Sequence, residues 1–440
     1  MIHLKTIFFS VYLWGLSWSV YAQQKQTLAL NEAIKLGLSQ SKQLQIDNIQ
    51  QQILQSKMQQ AVDAKFPQFG LNLSYIRISD NITPFRVAFP TGEVTLNPQI
   101  LNQSYNSLTL RQLIYAGGKV QDGIKMQDYE KQALFFDIEK SKLDVTYSIT
   151  TLWYNLFTVN ETQKLLKTNI ESLVNQKKDL ENFEKQGVVL KNDVLKIDLG
   201  ITNLESSLID VTNTQNLLNY NLCLLTGLET TTKIELPEIL PLRESQLDSQ
   251  ELFTGKAVNN RPELKALDIR QKQADLARKI TYSNYLPTLS VGGRVNYDMP
   301  NQRLFPNEAK ITGTWDVGVF FNWNISELFT NKEKLRESGF SISKLNKVYE
   351  QAKEGIMLEV NADYNNYLQA KQKIVNAQKA IEQATENLRV ERNKLASNTS
   401  TATEFLTANN QLIQAQINQT TAVANAELAY RKLLKSTANN

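Results

Sequence analysis

The chain has 440 residues, with 48 Lys and Arg against 44 Asp and Glu, one histidine and one cysteine. Its formal charge of +4 is too small, and too evenly spread, for a nucleic-acid binder. The only histidine, His3, lies in a segment that we expect to be removed, so the mature chain cannot run a Ser-His-Asp or Cys-His mechanism or build a histidine metal site. Cys223 alone forms neither an intramolecular disulfide nor a thiolate zinc site. We therefore predict no catalytic residue, no cofactor and no bound metal.

Residues 1–22 have the pattern of a secretory signal. His3 and Lys5 form a short polar start, Ile7 to Trp18 is an apolar run, and Val20 and Ala22 are the small residues expected before a cleavage site. The alternative is an N-terminal membrane anchor, but the run is short, serine-interrupted and followed at once by polar residues. No later stretch reaches the ~20 apolar residues of a spanning helix. A mature chain that enters a membrane must therefore do so by strands.

Proline placement predicts where long helices can form. No proline falls between Lys119 and Glu235, or anywhere after Pro306. Since a proline inside a helix costs ~3 kcal/mol or more, these two tracts can hold very long helices, the first from about Lys119 to Lys185. Both tracts carry heptads of apolar residues that restart after Gly187 and after Asn398, with Lys177 among the polar interruptions. Their seam positions include Leu173, Leu180, Val194, Ile197, Ile201, Leu388, Leu395, Phe405 and Ala408. This pattern is typical of a coiled-coil seam, so each tract predicts a helical hairpin.

The two halves of the chain repeat each other. The segment from Leu38 to Leu44 aligns without gaps on Val258 to Leu264, and Phe66-Pro67 aligns on Leu286-Pro287, both at an offset of 220. The hairpin turns match at an offset of 211. We therefore predict a first repeat at 23–235, a linker at 236–248 and a second repeat at 249–440.

Each repeat contains two segments in which apolar and polar residues alternate, as in strands. The four predicted strands are Gln68–Ser79, Ser104–Tyr115, Thr288–Tyr297 and Gly313–Ser326. Loops rich in proline and asparagine, at 80–103 and 298–312, separate the two strands of each pair.

Alternating strands with aromatic residues, in an exported protein, indicate a transmembrane β-barrel. Four strands cannot close one, because single-chain barrels begin at about eight strands and open strand edges are not tolerated in lipid. The strands must therefore be shared between identical copies, eight from two copies or twelve from three.

Motifs in both repeats are similar to those of a known family. They are Leu28-Ala-Leu-Asn-Glu-Ala33 with Leu44, Phe66-Pro67, Leu286-Pro287, Tyr115-Ala-Gly-Gly-Lys119 and Gly187-Val-Val-Leu-Lys-Asn-Asp193. In order, spacing and duplication they resemble the outer-membrane efflux protein family, the TolC-like channels of Gram-negative bacteria.

The resemblance implies a mixed α+β membrane protein. It would be a homotrimer with a twelve-stranded β-barrel in the outer membrane and long antiparallel coiled-coil helices that form a periplasmic tunnel. Its implied partners are outer-membrane lipid, a periplasmic adaptor (membrane fusion) protein and an inner-membrane pump of the RND, ABC or MFS type. Its implied function is an exit duct of a tripartite export system, gated by untwisting of the periplasmic helix pairs.

The hairpin turns are the candidate docking site for the adaptor. The resemblance places Gly187, Val188, Val189 and Asn398 at the periplasmic tips. Gly187 suits a turn with positive φ, and asparagine is among the other residues that tolerate it. The structural alternative is that any helical hairpin needs such a residue.

A carboxylate follows each turn by six residues, at Asp193 and Glu404. The resemblance implies that these acids line the closed entrance, where a threefold axis would make each a ring. Ser400 and Thr407 stand where the family often has a basic lock residue and a second acid, so the gate can differ here. The alternative is a charge favoured at a helix N-terminus.

Four aromatic residues are expected to face the membrane rather than bind a ligand: Tyr75, Trp315, Phe321 and Trp323. Two rival functions remain open. A periplasmic coiled-coil adaptor would need one hairpin and a compact β-domain. An enzyme on a helical scaffold would need a carboxylate pair in a pocket, whereas the matched acids lie at the predicted hairpin tips.

Overall fold

The computed structural model describes residues 25–81, 83–97, 99–237, 247–397 and 399–438. The predicted signal at 1–22 lies outside the described residues, as do Asn398 and most of the predicted linker at 236–248. The described part of the chain forms eight α-helices and eight strands. None of the described helices has a stretch apolar and uncharged enough to cross a membrane.

Two of the helices are very long, and each is followed by a helix about half its length. In chain order the helices are α1 (Leu30–Gln40), α2 (Lys42–Asp63), α3 (Lys119–Lys185), α4 (Lys191–Thr226), α5 (Gln250–Asn260), α6 (Pro262–Tyr282), α7 (Glu327–Ala396) and α8 (Ala402–Ser436). The 67 residues of α3 begin and end where the proline-free tract predicts, and α7 has 70 residues. The two predicted helical hairpins, α3–α4 and α7–α8, are confirmed.

The strands of the described residues form three sheets. They are β1 (Lys25–Thr27), β2 (Gln68–Arg77), β3 (Phe85–Phe89), β4 (Gly92–Asn97), β5 (Asn102–Tyr115), β6 (Lys233–Glu235), β7 (Thr288–Met299) and β8 (Thr312–Asn322). The main sheet is antiparallel in the order β2-β5-β7-β8. All four strands that the alternation predicts are therefore confirmed, with ends that shift by four residues or fewer.

The main sheet has one apolar and one polar face. Its register aligns one apolar row across all four strands, Leu71, Leu108, Val295 and Trp315. The adjacent row is polar throughout and consists of Asn72, Ser107, Asn296 and Thr314. Because paired residues share a face and neighbours along a strand alternate, these rows lie on opposite sides. The apolar row is well exposed, from 42% at Val295 to 73% at Trp315.

The prediction of a plain loop at 80–103 was wrong, because this segment contains the hairpin of β3 and β4. The hairpin turns at Pro90 and Thr91, with Gly92 at a φ of 129°. Phe85, Val87 and Phe89 do alternate with polar or small residues, but nearby prolines obscure the pattern. Proline is compatible with a turn between strands, so its presence did not exclude the hairpin.

A two-stranded parallel sheet was also missed. Lys25–Thr27 pairs with Lys233–Glu235, and three residues are too few for a pattern of alternation to be recognised. Next to it, the buried indole Nε1 of Trp153 donates to the Leu28 carbonyl oxygen at 3.0 Å. These contacts join the start of the described chain to the end of the first repeat.

The described residues form two compact units. One takes in the stretches up to Ser41, from Val145 to Ser245 and from Tyr367 to Ala429. It contains a core around Trp153, where Cys223 is fully buried, and burial raises the pKa of this thiol. The other takes in Lys42 to Asp144, Gln246 to Asn366 and the residues from Tyr430 onward, and includes the main sheet.

Candidate functional site

The turn between α3 and α4 is closed by backbone hydrogen bonds. Gly187 has a φ of 74°, a conformation that glycine adopts without a steric penalty. Its N–H donates to Glu184 O at 2.9 Å, and the Val188 N–H donates to Phe183 O at 2.9 Å. This pair of bonds is the Schellman motif, a common helix ending. The turn lies where the sequence predicts it, with Val188 45% exposed and Val189 packed against the core behind it.

The turn between α7 and α8 repeats one of these bonds. The Thr399 N–H donates to Lys394 O at 2.8 Å. Thr399 and Lys394 lie 211 residues after Val188 and Phe183, which is the offset of the sequence repeat. The repeat therefore extends to the hydrogen bonding of the turns.

Glu404 caps the start of α8. The Thr401 N–H donates to Glu404 Oε2 at 2.8 Å, and the Glu404 N–H donates to Thr401 Oγ1 at 3.3 Å. This reciprocal pair is a capping box. The Ser400 and Thr401 hydroxyls also donate to Glu404 Oε2, at 2.9 and 3.0 Å. The backbone bond first, and then the hydroxyls, hold the pKa of Glu404 below its ordinary value.

Ser400 lies between two carboxylates. Its Oγ is 2.7 Å from Glu391 Oε2 and 2.9 Å from Glu404 Oε2. Lys394 Nζ pairs with Glu391 Oε1 at 2.8 Å, and this bond, followed by the Ser400 contact, lowers the pKa of Glu391. The residue at the expected lock position thus connects the last turns of α7 to the start of α8. Thr407 donates within its own helix, to Thr403 O at 2.9 Å.

Asp193 has the corresponding position in α4 but a different environment. Leu190, at the start of this helix, offers no side-chain acceptor, and the Asp193 N–H donates to Leu190 O at 2.9 Å. The Asp193 carboxylate lies 3.6 Å from Lys196 Nζ on the same helix. The two candidate gate acids are therefore not equivalent, because the capping box engages Glu404 and has no counterpart at Asp193.

Behind the turns, both hairpins contribute to one apolar core, which we call the hairpin core. Its buried residues are Leu173, Leu180, Val194, Ile197, Ile201, Leu388, Leu395, Ala402, Phe405 and Ala408. The heptads predict all of these seam positions except Ala402. At Lys177, where the heptads have a polar residue, the ammonium pairs with Asp198 across the α3–α4 hairpin, and this hydrogen bond raises the pKa of Lys177. The core holds the two hairpins together next to their turns.

The candidate membrane-facing aromatics lie along the main sheet. Tyr75, Trp315 and Phe321 are on its apolar face and are 68%, 73% and 65% exposed. Trp323 follows β8, and its Nε1 donates to Tyr285 O at 3.1 Å. Tyr75 is near the loop end of its strand, whereas Phe321 and Trp323 are near the helix end. Aromatic residues at both borders are typical of membrane barrels.

Sequence reasoning missed a charged cluster on the polar face. Asp316 Oδ2 lies 3.5 Å from Arg294 Nε and 2.6 Å from Arg303, in the loop before it. Arg111 Nε donates to Ser290 Oγ at 3.1 Å on the same face. The alternation within each strand places Arg294 and Asp316 on the polar face, in phase with Asn296 and Thr314. Only the strand register shows that Arg294 and Asp316 lie opposite each other. Among the described residues, no group of His, Cys, Asp or Glu is placed to hold a metal ion.

Residues 254–439 match the family model described as outer membrane efflux protein. Toxin and drug export protein A of Aggregatibacter actinomycetemcomitans is 24% identical over 314 residues, which cover 68% of this chain and 65% of that protein. The chain thus spans just under two thirds of that curated relative.

Two solved structures share the whole architecture. VceC, an outer membrane protein of Vibrio cholerae, matches with a TM-score of 0.76 at 16% identity and covers 93% of this chain and 96% of its own. The CmeC outer membrane channel of Campylobacter jejuni matches with a TM-score of 0.76 at 15% identity and covers 100% and 94%. These likenesses confirm the predicted TolC-like, helix-dominated fold. Proteins of the matched family are outer-membrane channels with periplasmic helices rather than enzymes. The chain is thus similar to the outer membrane efflux protein family, whose model matches residues 254–439.

Proposed function

We propose that this chain is the outer-membrane exit duct of a tripartite export system. The observation that carries the proposal is the main sheet, in which an apolar face and a polar face run across all four strands. Such a sheet suits a wall between lipid and water. The exposed apolar row fits a lipid-facing surface, and Tyr75, Trp315, Phe321 and Trp323 fit its aromatic positions.

The edges of this sheet support a shared barrel. In the described residues, β2 and β8 each pair with one neighbour, so each leaves one edge open. Unpaired backbone groups are not tolerated in lipid, and β8 of one copy would therefore pair with β2 of the next. Four strands from each of three copies make a barrel of twelve, and we propose a homotrimer.

The hairpins would then form the periplasmic tunnel, with their turns at the pump-facing end. We assign docking of a periplasmic adaptor protein to the turns at Gly187, Val188, Val189 and Asn398. The exposure of Val188 supports this, since an apolar side chain at a tip is available to a partner. The inner-membrane pump, of the RND, ABC or MFS type, supplies the energy.

Gating is proposed to be conformational. When adaptor and pump engage, the helix pairs untwist and the entrance widens without covalent chemistry. Asp193 is the stronger candidate for a carboxylate ring at the entrance, because the Glu404 carboxylate already caps α8. Glu404 would contribute instead by holding the start of α8 in place.

The cargo is proposed by analogy. The relative from Aggregatibacter actinomycetemcomitans is named for toxin and drug export, so drugs and secreted toxins are the first substrates to test.

Two measurements test the duct. Purified protein in planar lipid bilayers should form stable pores without nucleotide, and cells that lack the chain should retain drug or toxin until the wild-type gene is restored. A protein that fractionates with the soluble periplasm and forms no pores would refute the duct and favour the adaptor alternative.

A further inference from the structure

Three isoleucines form an exposed stripe on α2. Ile46, Ile49 and Ile53 are 58%, 57% and 43% exposed, and their spacing of three and four residues places them on one side of the helix. Helix α2 buries little else, since Leu44 and Leu54 are its only buried residues among those described. The stripe is therefore an unpartnered apolar face within one chain.

The second repeat shows what covers this face. At the repeat offset of 220, the three isoleucines correspond to Ala266, Ile269 and Gln273 of α6. Ala266 is fully buried and Ile269 is 9% exposed. The same side of the same helix is therefore packed in one repeat and open in the other.

Helix α6 is packed on this side by the long helix of the other repeat, α3. Arg270 pairs with Asp137 of α3 at 2.5 Å, and Gln273 Nε2 donates to Glu130 Oε2 at 2.6 Å. The ammonium of Lys265 lies 6.0 Å from the centre of the Phe136 ring.

The long helix of its own repeat lies on a different side of α6. Gln271 Nε2 donates to Asn346 Oδ1 of α7 at 3.0 Å. At about 100° per residue, Gln271 is about 140° around the helix from Ala266. Helix α6 is thus held between two long helices, one from each repeat.

Helix α2 has the contact to its own long helix. Lys131 Nζ of α3 donates to Gln55 Oε1 at 3.0 Å. Gln55 is nine residues after Ile46 and therefore about half a turn around the helix from it. The isoleucine stripe faces away from α3, on the side where α6 meets the long helix of the other repeat.

We propose that the isoleucine stripe of α2 packs against α7 of a second copy of this chain. In the ring of alternating repeats proposed above, on which this inference rests, the neighbour of α2 on that side is the second repeat of another copy. Aligning the starts of α3 and α7 gives an offset of 208 between the repeats, and aligning the turns that follow them gives 211. With these two offsets, the α3 residues from Glu130 to Asp137 correspond to a stretch within 338–348 of α7. This part of α7 carries Phe340, which is 63% exposed.

The contact between copies differs from the one within the chain. In α2, the position that corresponds to Arg270, which pairs with Asp137, is the uncharged Gln50. The positions that correspond to Ala266 and Gln273 are isoleucines. An apolar contact thus takes the place of an ion pair. Burial of the stripe then holds neighbouring copies together on the helical side of the main sheet.

The first experiment is photo-cross-linking with p-benzoylphenylalanine at Ile49 in the full chain, in outer membranes. A mixture of isotopically light and heavy copies distinguishes links between chains from links within one chain. We expect a link between chains whose peptide maps to residues 338–348. A link within one chain, a link to another segment or the absence of any link would overturn the proposal.

The second experiment is the substitution Ile49→Asp. It should lower the temperature at which the oligomer dissociates by roughly several degrees, because a carboxylate would enter an apolar contact. The control is Gln52→Asp, which introduces the same charge at an exposed position on the flank of α2, between the isoleucine stripe and the side that contacts α3, and should leave that temperature unchanged. Equal temperatures for the two variants would contradict the proposal.

The mass of the wild-type protein and the site of the cross-link separate the α2–α7 contact from the proposed duct. If the wild-type protein has the mass of one chain in detergent, the shared duct itself is refuted. If the wild type is an oligomer but the link from position 49 maps elsewhere, only the α2–α7 contact is refuted.

Discussion

Phe405 gives the sharpest test of the proposal that the hairpin core holds a closed tip together. It is 1% exposed and has the largest fully buried side chain among the described residues, at the centre of the hairpin core. Phe405→Ala should cost about 3–5 kcal/mol, through lost apolar burial and the cavity that remains. Because both hairpins build this core, part of the lost free energy should destabilise the closed tip relative to the open one. If half of it does, the ratio of closed to open tips falls by about 10- to 70-fold.

The assay is single-channel recording in planar bilayers, combined with a thermal melt of the same preparation. Phe405→Ala should raise the open probability and lower the melting temperature. The control, Phe405→Leu, keeps an apolar side chain in the cavity and should stay close to wild type. A lower melting temperature with unchanged open probability would refute the reasoning, since the core would then stabilise the chain without closing its tip.

Four further predictions concern the turns, the main sheet and two carboxylates. Gly187→Ala should lower the free energy of unfolding by roughly 1–2 kcal/mol in a thermal melt. The cause is the φ of 74° and not crowding, because no neighbouring atom lies within 4 Å of an added Cβ. Gly187→Asn should cost less, and equal melting temperatures for the wild type and the two variants would contradict this. Leu71→Lys should reduce the folded protein in outer membranes, at a cost of about 2–4 kcal/mol, whereas the control Asn72→Lys, on the polar face, should not; equal losses would argue against a lipid-facing row. Because the pKa of Glu404 is lowered in the folded chain, its contribution to stability is complete above the ordinary glutamate range and is lost as the pH falls below about 4. The protection factors of amides at the start of α8, corrected for the intrinsic exchange rate at each pH, should therefore be lower at about pH 3 than at about pH 7 in the wild type and low at both in Glu404→Ala. Wild-type protection factors that are equal at the two pH values would contradict the cap. Burial raises the pKa of Asp363, so stability should fall as the pH rises from about 4 through the raised value, and Asp363→Asn should remove this slope in melts at about pH 4 and pH 8; an identical slope in the variant would exclude Asp363 as its source.

The long helices and the main sheet could be predicted because their signals are repetitive. Helix α3 fills a tract without proline, and its heptads mark the side that becomes buried, as at Leu173 and Leu180. In β8 every second residue is apolar, which fixes the strand and its two faces. Short elements do not repeat a pattern often enough, and the three-residue strands β1 and β6 were missed for that reason.

The candidate site was predicted only in part. The sequence locates the turn at Gly187 and the acids Asp193 and Glu404, but their inequivalence depends on the residue three positions earlier. Thr401 supplies a hydroxyl for a capping box, a pattern that the sequence already contains, whereas Leu190 cannot. The arginine and aspartate cluster on the polar face, by contrast, depends on strand register and could not be read from one strand.

The mass of the detergent-solubilised protein from outer membranes decides whether several copies of the chain share one barrel. A sheet of four strands with two open edges cannot line a channel alone, so we expect a stable particle of three chains, measured by light scattering with the detergent contribution subtracted. A particle with the mass of one chain would contradict the shared duct.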